Sequence, residues 1–233
     1  MGYGMLDIIG LMQKGKFDEF EKSVKNGSLD VKLRTTKDGM TALDIITRSN
    51  DFDLVNKIKW IKLLSSLGAD VNTIDNGGMT PMRMAVMSED TEVMKCLASV
   101  GADFQERNDE GETILFMAAG LEKIKSIRCL IELGADVNTR DNNGYTPLFS
   151  ATSTDIIKCL IELGADVNAK TNNGFTPIHM AVSVNNVEAL KCLKSLGADI
   201  NAKSIDGKTP FAKGIDFGDV PEAVDWLKAN GAL

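Results

Sequence analysis

The sequence predicts an all-α repeat fold, a solenoid of about seven helix-turn-helix units, caps included, with β-hairpin fingers between them. Self-similarity at a fixed period of about 20–50 residues is the signature of such an architecture. Gly-Ala-Asp recurs in steps of 33, 33, 30 and 33 residues, at Gly68, Gly101, Gly134, Gly164 and Gly197. A second series of glycines, each followed two residues later by threonine, lies at Gly39, Gly78, Gly111, Gly144, Gly174 and Gly207.

One complete unit shows how the two series combine. Asn-Asn-Gly-Phe-Thr-Pro-Ile-His-Met-Ala (172–181) is followed by an apolar-periodic helix and then by Leu-Gly-Ala-Asp-Ile-Asn-Ala (196–202). This unit resembles the ankyrin repeat, a unit of about 33 residues with Thr-Pro-Leu-His near its start and Gly-Ala-Asp-Val-Asn near its end. The resemblance covers nearly the whole chain. It implies pairs of stacked helices that present a variable surface to a protein partner.

The two series divide the chain, as a single domain over residues 1–233, into caps and repeats. The first cap is divergent, but its Leu6-Asp7-Ile8-Ile9 recurs as Leu43-Asp44-Ile45-Ile46, which makes it a unit of its own. The remnant Gly231-Ala-Leu233 ends the last cap. We number the units along the chain: unit 1 (N-terminal cap, 4–34), unit 2 (35–74), unit 3 (75–107), unit 4 (108–140), unit 5 (141–170), unit 6 (171–203) and unit 7 (C-terminal cap, 204–233).

Capping signals mark where the helices of each unit begin and end. A threonine hydroxyl can accept a backbone N–H at the start of a helix, and we assign this role to Thr41, Thr80, Thr113, Thr146, Thr176 and Thr209. Proline at the first helical position costs nothing, and it follows four of these threonines. The glycine of Gly-Ala-Asp supplies the left-handed residue that ends the second helix. The Asn-Gly and Asp-Gly pairs that follow predict hairpin fingers.

Two units depart from the regular length. Unit 2 is about six residues longer between Thr41 and Gly68, and the extra residues fall around Arg48–Asp53, between its helices. Unit 5 is three residues short near Ser153 and Thr154, at the same turn. Length changes of this size in a loop cost little free energy, so we interpret both as drift. The alternative is a loop specific to a partner, because insertions in solenoids collect on one face.

Composition excludes several classes of protein. Apolar residues make up 43% and the net charge is −7, whereas nucleic-acid binders carry clustered Lys and Arg. No segment approaches the about 18 consecutive apolar residues that cross a bilayer, and the N-terminus lacks the features of a secretory signal. We expect a cytoplasmic monomer with no nucleic-acid partner and no membrane insertion; export as an effector stays open.

The residue types that usually carry chemistry have structural explanations here. Cys96, Cys129, Cys159 and Cys192 each lie five residues before the glycine of Gly-Ala-Asp, so they occupy one position in four units, too far apart for a disulfide or a shared zinc. We expect buried, reduced thiols. His179 is the sole histidine, and the resemblance gives it a hydrogen-bonding role at its turn. No nucleotide-binding, zinc-protease or EF-hand motif occurs, so we predict no catalytic residue, metal or cofactor.

The candidate binding residues come from positions that vary between units. The residue before each capping threonine is large and apolar in four of six units, as Met40, Met79, Tyr145 and Phe175, but is Glu112 or Lys208 in the others. Exposed aromatic and Met side chains are typical of interfaces. The alternative is that these side chains only support the stack. The position six residues after the Gly-Ala-Asp glycine is Ile74 in the first copy and basic in the other four, as Arg107, Arg140, Lys170 and Lys203. This basic column could attract an acidic partner, although solvated scaffold is the preferred interpretation.

Three functions compete. The leading hypothesis is a non-enzymatic module that binds a partner protein on its concave face and fingers. The alternative is an inhibitory or regulatory subunit or effector that acts on an enzyme or a host protein. The third is a substrate for modification, because Asn72, Asn138, Asn168 and Asn201 stand in the Asp-Val/Ile-Asn context that resembles the targets of asparaginyl hydroxylases in ankyrin proteins.

Overall fold

The structure is a computed structural model that describes residues 4–232. The chain divides into two compact bodies, an N-terminal body (Met1–Phe104) and a C-terminal body (Gln105–Leu233). Residues 1–3 and Leu233, the last residue of the Gly-Ala-Leu remnant, lie outside the described residues. The assignment of the whole chain to one domain, and the unit boundaries, stay predictions.

The N-terminal body contains three helix pairs. They are α1 (Met5–Gln13) with α2 (Phe17–Lys25), α3 (Ala42–Arg48) with α4 (Leu54–Ser66), and α5 (Pro81–Ser88) with α6 (Thr91–Ser99). First helices pack on first helices, α1 on α3 and α3 on α5, and second helices pack on second helices in the same order. This two-layer arrangement buries the apolar stripe of each helix against its pair and its neighbours.

The C-terminal body repeats the arrangement with one irregular member. Its elements are α7 (Ile114–Gly120), α8 (Ile124–Glu132), a 3₁₀ turn (Pro147–Ser150), α9 (Thr154–Glu162), α10 (Pro177–Ser183), α11 (Val187–Ser195), α12 (Pro210–Phe217) and α13 (Pro221–Ala229). The 3₁₀ turn stands where a first helix would be, packed between α7 and α10. The all-helical repeat fold that the sequence predicts is confirmed.

The predicted capping threonines all stand at the start of an element, but only half of them cap with the hydroxyl. The hydroxyls of Thr41, Thr80 and Thr209 accept the backbone N–H three residues on. Thr113 and Thr146 make no such bond. The Thr176 hydroxyl instead lies 2.9 Å from Nδ1 of His179. The sequence therefore predicted correctly where these elements begin. The hydrogen bond that each threonine hydroxyl makes depends on which residue lies three positions on.

The fingers are turns rather than β-hairpins, since no strand occurs among residues 4–232. In unit 5 the turn closes through Asp141 N–H to Tyr145 O at 3.0 Å, and Asn142 N–H reaches Glu110 O of the preceding finger at 2.9 Å. Gly144 N–H also bonds to Asp141 O inside this turn at 3.1 Å, and these few bonds do not make a ladder. Gly144 has φ 82° and a side chain there would press to 2.8 Å from Asn172 N, so glycine is required at this point.

Units 2 and 5 carry their length changes differently. The expected loop in unit 2 is only residues 49–53, and most of the insertion extends α4 to 13 residues, against 9 in α6. In unit 5 the missing residues are taken from the first helix, which is a 3₁₀ turn of 4 residues. The prediction placed the unit 2 insertion between the helices, whereas the structure adds about one helical turn.

Trp60 of α4 is the largest fully buried side chain of the N-terminal body. Its ring stacks on Phe17 with centroids 4.3 Å apart and meets the edge of Phe20 at 5.1 Å. Aromatic pairs in these geometries stabilise by about 0.5–1.5 kcal/mol beyond the area that they bury. The lengthened helix is therefore anchored to unit 1 by its largest side chain.

Candidate protein-binding surface

The four apolar residues predicted at the fingers differ in exposure. Met40 is buried, with 8% of its surface exposed, and it offers little to a partner. Met79, Tyr145 and Phe175 are half-buried, so each keeps part of its side chain at the surface. The structure places Met79 in the N-terminal body and the two aromatic residues in the C-terminal body.

Tyr145 and Phe175 each lie against the residue four positions on. The Tyr145 ring meets Phe149 edge-on at 5.1 Å, and the Phe175 ring meets His179 at 5.5 Å. Lys213 of α12 adds its ammonium group 4.9 Å from the centre of the Phe175 ring. These contacts hold both rings, and each side chain stays half-buried. A side chain that is already held in place loses less conformational freedom when a partner binds.

The basic column bonds to backbone of the fold. The Arg107 guanidinium donates to Gly111 O in its own finger and to Arg140 O of the next, at 2.5 and 2.7 Å. Arg140 reaches the Asn172 side chain at 3.4 Å, and Lys170 reaches Lys203 O at 3.4 Å. Arg107, Arg140 and Lys170 thus each bridge their own unit to the next, whereas the exposed Lys203 ammonium makes no such bond among residues 4–232. The scaffold interpretation accounts for these contacts.

Arg34 belongs to the same set, although the sequence pattern missed it. Its guanidinium donates to Gly39 O at 2.7 Å and to Ile74 O at 2.9 Å. It lies outside the Gly-Ala-Asp spacing, because unit 1 lacks that motif. Arg34 could have been found only by a different search, for the basic residue that lies five positions before the finger glycine Gly39. Arg107 lies four positions before its own finger glycine, Gly111.

Asparagines at the ends of the Gly-Ala-Asp-x-Asn runs also join neighbouring units, as three of the four show. Asn138 donates to Gly164 O at 2.9 Å and accepts from Asp166 N–H at 2.8 Å. Asn168 repeats both bonds to the following unit, as does Asn72. Both ends of each carboxamide are therefore occupied, and a modifying enzyme would have to break these bonds. Hydroxylation at these residues and at Asn201 stays a prediction.

A groove lined by methionine lies on the N-terminal body where the end of α3 meets α5. It encloses about 320 Å³ and is lined by Arg48, Met79, Met84, Met87 and Ser88. Met87 is 47% exposed, whereas Met84 is 7% exposed and forms part of the floor. Of the predicted residues only Met79 takes part. We call this feature the methionine groove.

The sequence contains a signal for this groove that the spacing analysis missed. Four of the 11 methionines fall within residues 79–87, and Met84 and Met87 are three positions apart, on one face of a helix. Arg48 carries no comparable signal. It lines the groove because it ends α3, at the start of the inserted segment of unit 2.

A smaller cavity of about 70 Å³ lies in the C-terminal body beside the 3₁₀ turn. Its lining includes Phe149 and Ala151 of unit 5, and Met180 and Val184 of unit 6. The side chains of a full first helix would occupy this space. The cavity is therefore a packing consequence of the deletion, and Val184 at its edge is 64% exposed.

The position three residues after the capping threonine holds a titratable side chain in two units, Asp44 in unit 2 and His179 in unit 6. Asp44 accepts from both Thr41 N–H and the Thr41 hydroxyl at 2.7 Å, while its other oxygen is buried with no hydrogen-bond partner among the described residues. Burial raises the pKa of this carboxyl. His179 accepts from Thr176 N–H through Nδ1 at 3.1 Å, which assigns the proton to Nε2, 3.3 Å from Lys208 O. Burial lowers the pKa of His179. Both groups serve their turns.

The cysteines are free and buried, as predicted. Burial raises the pKa of the thiols of Cys96, Cys159 and Cys192, which suppresses the reactive thiolate. Within residues 4–232 no three His, Cys, Asp or Glu side chains are arranged to hold a metal ion. Over the same residues, no helix has the length and apolar character needed to cross a bilayer.

Comparison with protein families gives a consistent result. A family model described as "Ankyrin repeats (3 copies)" matches residues 84–171, 123–204 and 151–232. A second model, "Ankyrin repeats (many copies)", matches residues 56–98. No curated protein matches the sequence. Together the two models cover well over half of the chain.

Proposed function

Since this chain belongs to the ankyrin repeat family, we propose that it is a non-enzymatic module that binds a partner protein through its first helices and fingers. Ankyrin repeats are generally protein–protein interaction modules. The observation that carries the proposal here is the methionine groove, which combines an apolar floor with a half-exposed Met87. Methionine side chains are flexible and polarisable, and they are common at binding surfaces.

In the C-terminal body the proposed contact residues are Tyr145 and Phe175. Hot spots are enriched in aromatic side chains, and truncating one costs about 2 kcal/mol or more of binding free energy. The equivalent position holds Glu112 in unit 4 and Lys208 in unit 7. The fold therefore does not require an apolar residue there, and binding of a partner can determine which residue is present. We assign Arg107, Arg140 and Lys170 to holding the units together, because their head groups bond to neighbouring fingers.

Four reduced, buried thiols fit a reducing compartment, so we place the module in the cytoplasm, as a monomer without a nucleic-acid partner.

The test of the proposed binding function is capture of the partner by the full chain from its own cells. Met87→Glu puts a charge into the methionine groove and should reduce capture at least about tenfold, by the loss of one hot spot. The matched control is Val55→Glu at the start of α4, which is 62% exposed and does not line the groove. Equal capture by both variants would contradict the proposal.

A further inference from the structure

The methionine groove carries chemistry that selects among protein partners. Resting on the proposed function, we infer that this groove receives a mainly apolar peptide segment whose anchor side chain is followed by a single carboxylate. The anchor fills the space between the methionine side chains, and the carboxylate pairs with Arg48. The positive charge of Arg48 at the rim of the groove and the apolar methionine side chains of its floor together set this preference.

The apolar part of the preference follows from size and lining. A volume of about 320 Å³ lies at the lower end of the range for ligand sites, about 300–1,000 Å³, which suits one or two side chains rather than a folded surface. Met79, Met84 and Met87 supply the walls. The Ser88 hydroxyl, the neutral polar side chain of the lining, already donates to Met84 O and Ala85 O, both at 3.1 Å. The Ser88 hydroxyl hydrogen is therefore already used, and a polar anchor between the three methionine side chains would lose its hydration with little compensation.

The charged part of the preference follows from Arg48. Its side chain is exposed, and among residues 4–232 it makes no hydrogen bond or ion pair. In this it differs from Arg83 on the same body, whose guanidinium donates to Gly78 O at 3.1 Å. An arginine guanidinium offers several N–H donors in a planar fork that matches a carboxylate. A free guanidinium beside an apolar pocket is thus complementary to an acid beside an apolar anchor.

A single carboxylate fits better than an acidic tract or a phosphate. The chain carries a net charge of −7, so a strongly acidic segment would be repelled at long range. Phosphate recognition by peptide-binding modules relies on clusters of arginine, whereas Arg48 is the one basic residue that lines the groove within residues 4–232. The partner segment should therefore be apolar apart from this one acid.

The experiment uses the full chain with ¹³C-labelled methionine methyl groups, of which it has 11. Two synthetic probes are titrated, a capped Gly-Leu-Glu-Gly peptide and its Gly-Leu-Gln-Gly twin. A capped Gly-Leu-phosphoserine-Gly peptide is titrated for comparison. Saturable shifts should be confined to the methyl groups of Met79, Met84 and Met87. The glutamate probe should bind about three- to fivefold more tightly than the glutamine probe, the size expected of an exposed ion pair.

Two variants locate the source of the preference. Arg48→Gln should bind both probes equally, and Arg83→Gln, the matched control, should keep the full difference. The comparison of the two probes on the unchanged chain needs no variant, so it holds even if one substitution disturbs folding. Equal affinity of the two probes for the unchanged chain, shifts outside the three methyl groups, or tighter binding of a phosphoserine probe would each overturn the inference.

Failure of this inference is distinguishable from failure of the proposed function. If Met87→Glu abolishes capture of the partner while the two probes bind equally, the groove binds a protein but does not select a carboxylate. If the probes differ as expected but capture is unaffected by Met87→Glu, the groove has the inferred chemistry and the partner binds elsewhere.

Discussion

Units 2 and 5 change length in opposite directions and in different elements. Unit 2 gains residues, and α4 grows to 13 residues while α3 keeps 7. Unit 5 loses residues, and its first helix shrinks to a 3₁₀ turn of 4. The gain leaves Arg48 at the rim of the methionine groove, whereas the loss leaves a cavity of about 70 Å³. In this fold an insertion adds surface and a deletion removes packing.

Packing explains why the two changes are not equivalent. The added turn of α4 contributes Lys57, which is 7% exposed and pairs with Asp90 of unit 3 at 3.5 Å. The same helix holds Trp60 against unit 1. Around the 3₁₀ turn, by contrast, the shortened element leaves a cavity of about 70 Å³. Unit 2 is therefore tied to both neighbours through α4, whereas unit 5 keeps unfilled space in its packing.

The largest expected effect separates the two second helices. Trp60 and Ile156 occupy the same position in α4 and α9, and both are fully buried. Trp60→Ala should lower the free energy of unfolding by about 3–5 kcal/mol, because a large cavity opens between units 1 and 2. Ile156→Ala should cost less, since it removes fewer atoms. Urea unfolding followed by circular dichroism measures both, and an equal or smaller loss for Trp60→Ala would contradict the anchoring role of α4.

A smaller effect tests the cavity of unit 5. Ala151 lines it and has an extended backbone, φ −77° and ψ 118°, which suits a β-branched residue. Ala151→Val should raise the free energy of unfolding by about 0.5–1 kcal/mol by filling the cavity. Ala118 of α7 is fully buried in the same body, and Ala118→Val should instead cost about 1–3 kcal/mol through overpacking. If Ala151→Val destabilises as much as Ala118→Val, unit 5 is fully packed.

The smallest effect is a difference in pH dependence between the bodies. His179 has a pKa below its ordinary 6.5, so its stabilisation is present above pH 6.5 and is lost as the pH falls through that value toward the folded pKa. Asp44 has a pKa above its ordinary 3.8, so its contribution is lost as the pH rises from 3.8 through the folded pKa. Acidification from about pH 7 to about pH 5 should therefore destabilise the C-terminal body.

The tryptophans allow that difference to be measured, because the chain has 2 of them, Trp60 in the N-terminal body and Trp226 in the C-terminal body. In a Trp60→Phe background, unfolding followed by Trp226 fluorescence reports the C-terminal body. His179→Gln should flatten its pH dependence. The charged groups that face His179 are Lys170, Lys213 and Asp206. An unchanged slope in the His179→Gln variant would refute the assignment.

Much of the fold was readable from the sequence, because the glycine and threonine series fix the backbone at each turn and do not depend on long-range packing. The four cysteines were predicted buried for the same reason, since one position repeats in four units. The 3₁₀ turn was not predicted, because periodicity shows that residues are missing but not which element gives them up. That choice is made by packing between α7 and α10.

The candidate site was less accessible to sequence reasoning. The position before each capping threonine was correctly found at the surface for Tyr145 and Phe175 but not for Met40, which is buried. The methionine groove joins residues from α3, a finger and α5, and a column of equivalent positions cannot reveal a site built from non-equivalent ones. The basic column shows the opposite case, because a regularly repeated position can hold neighbouring units together instead of binding a partner.

The central claim is that a partner binds the first helices and fingers rather than the second helices, and photo-crosslinking tests it most directly. A photo-reactive phenylalanine analogue is placed in the full chain at Met87 of α5, at Val184 beside α10, or at the control positions Lys95 of α6 and Lys191 of α11, all four exposed. We expect discrete adducts with the partner from Met87, fewer from Val184, and none from the two lysine positions. Adducts formed mainly from Lys95 or Lys191 would contradict the account.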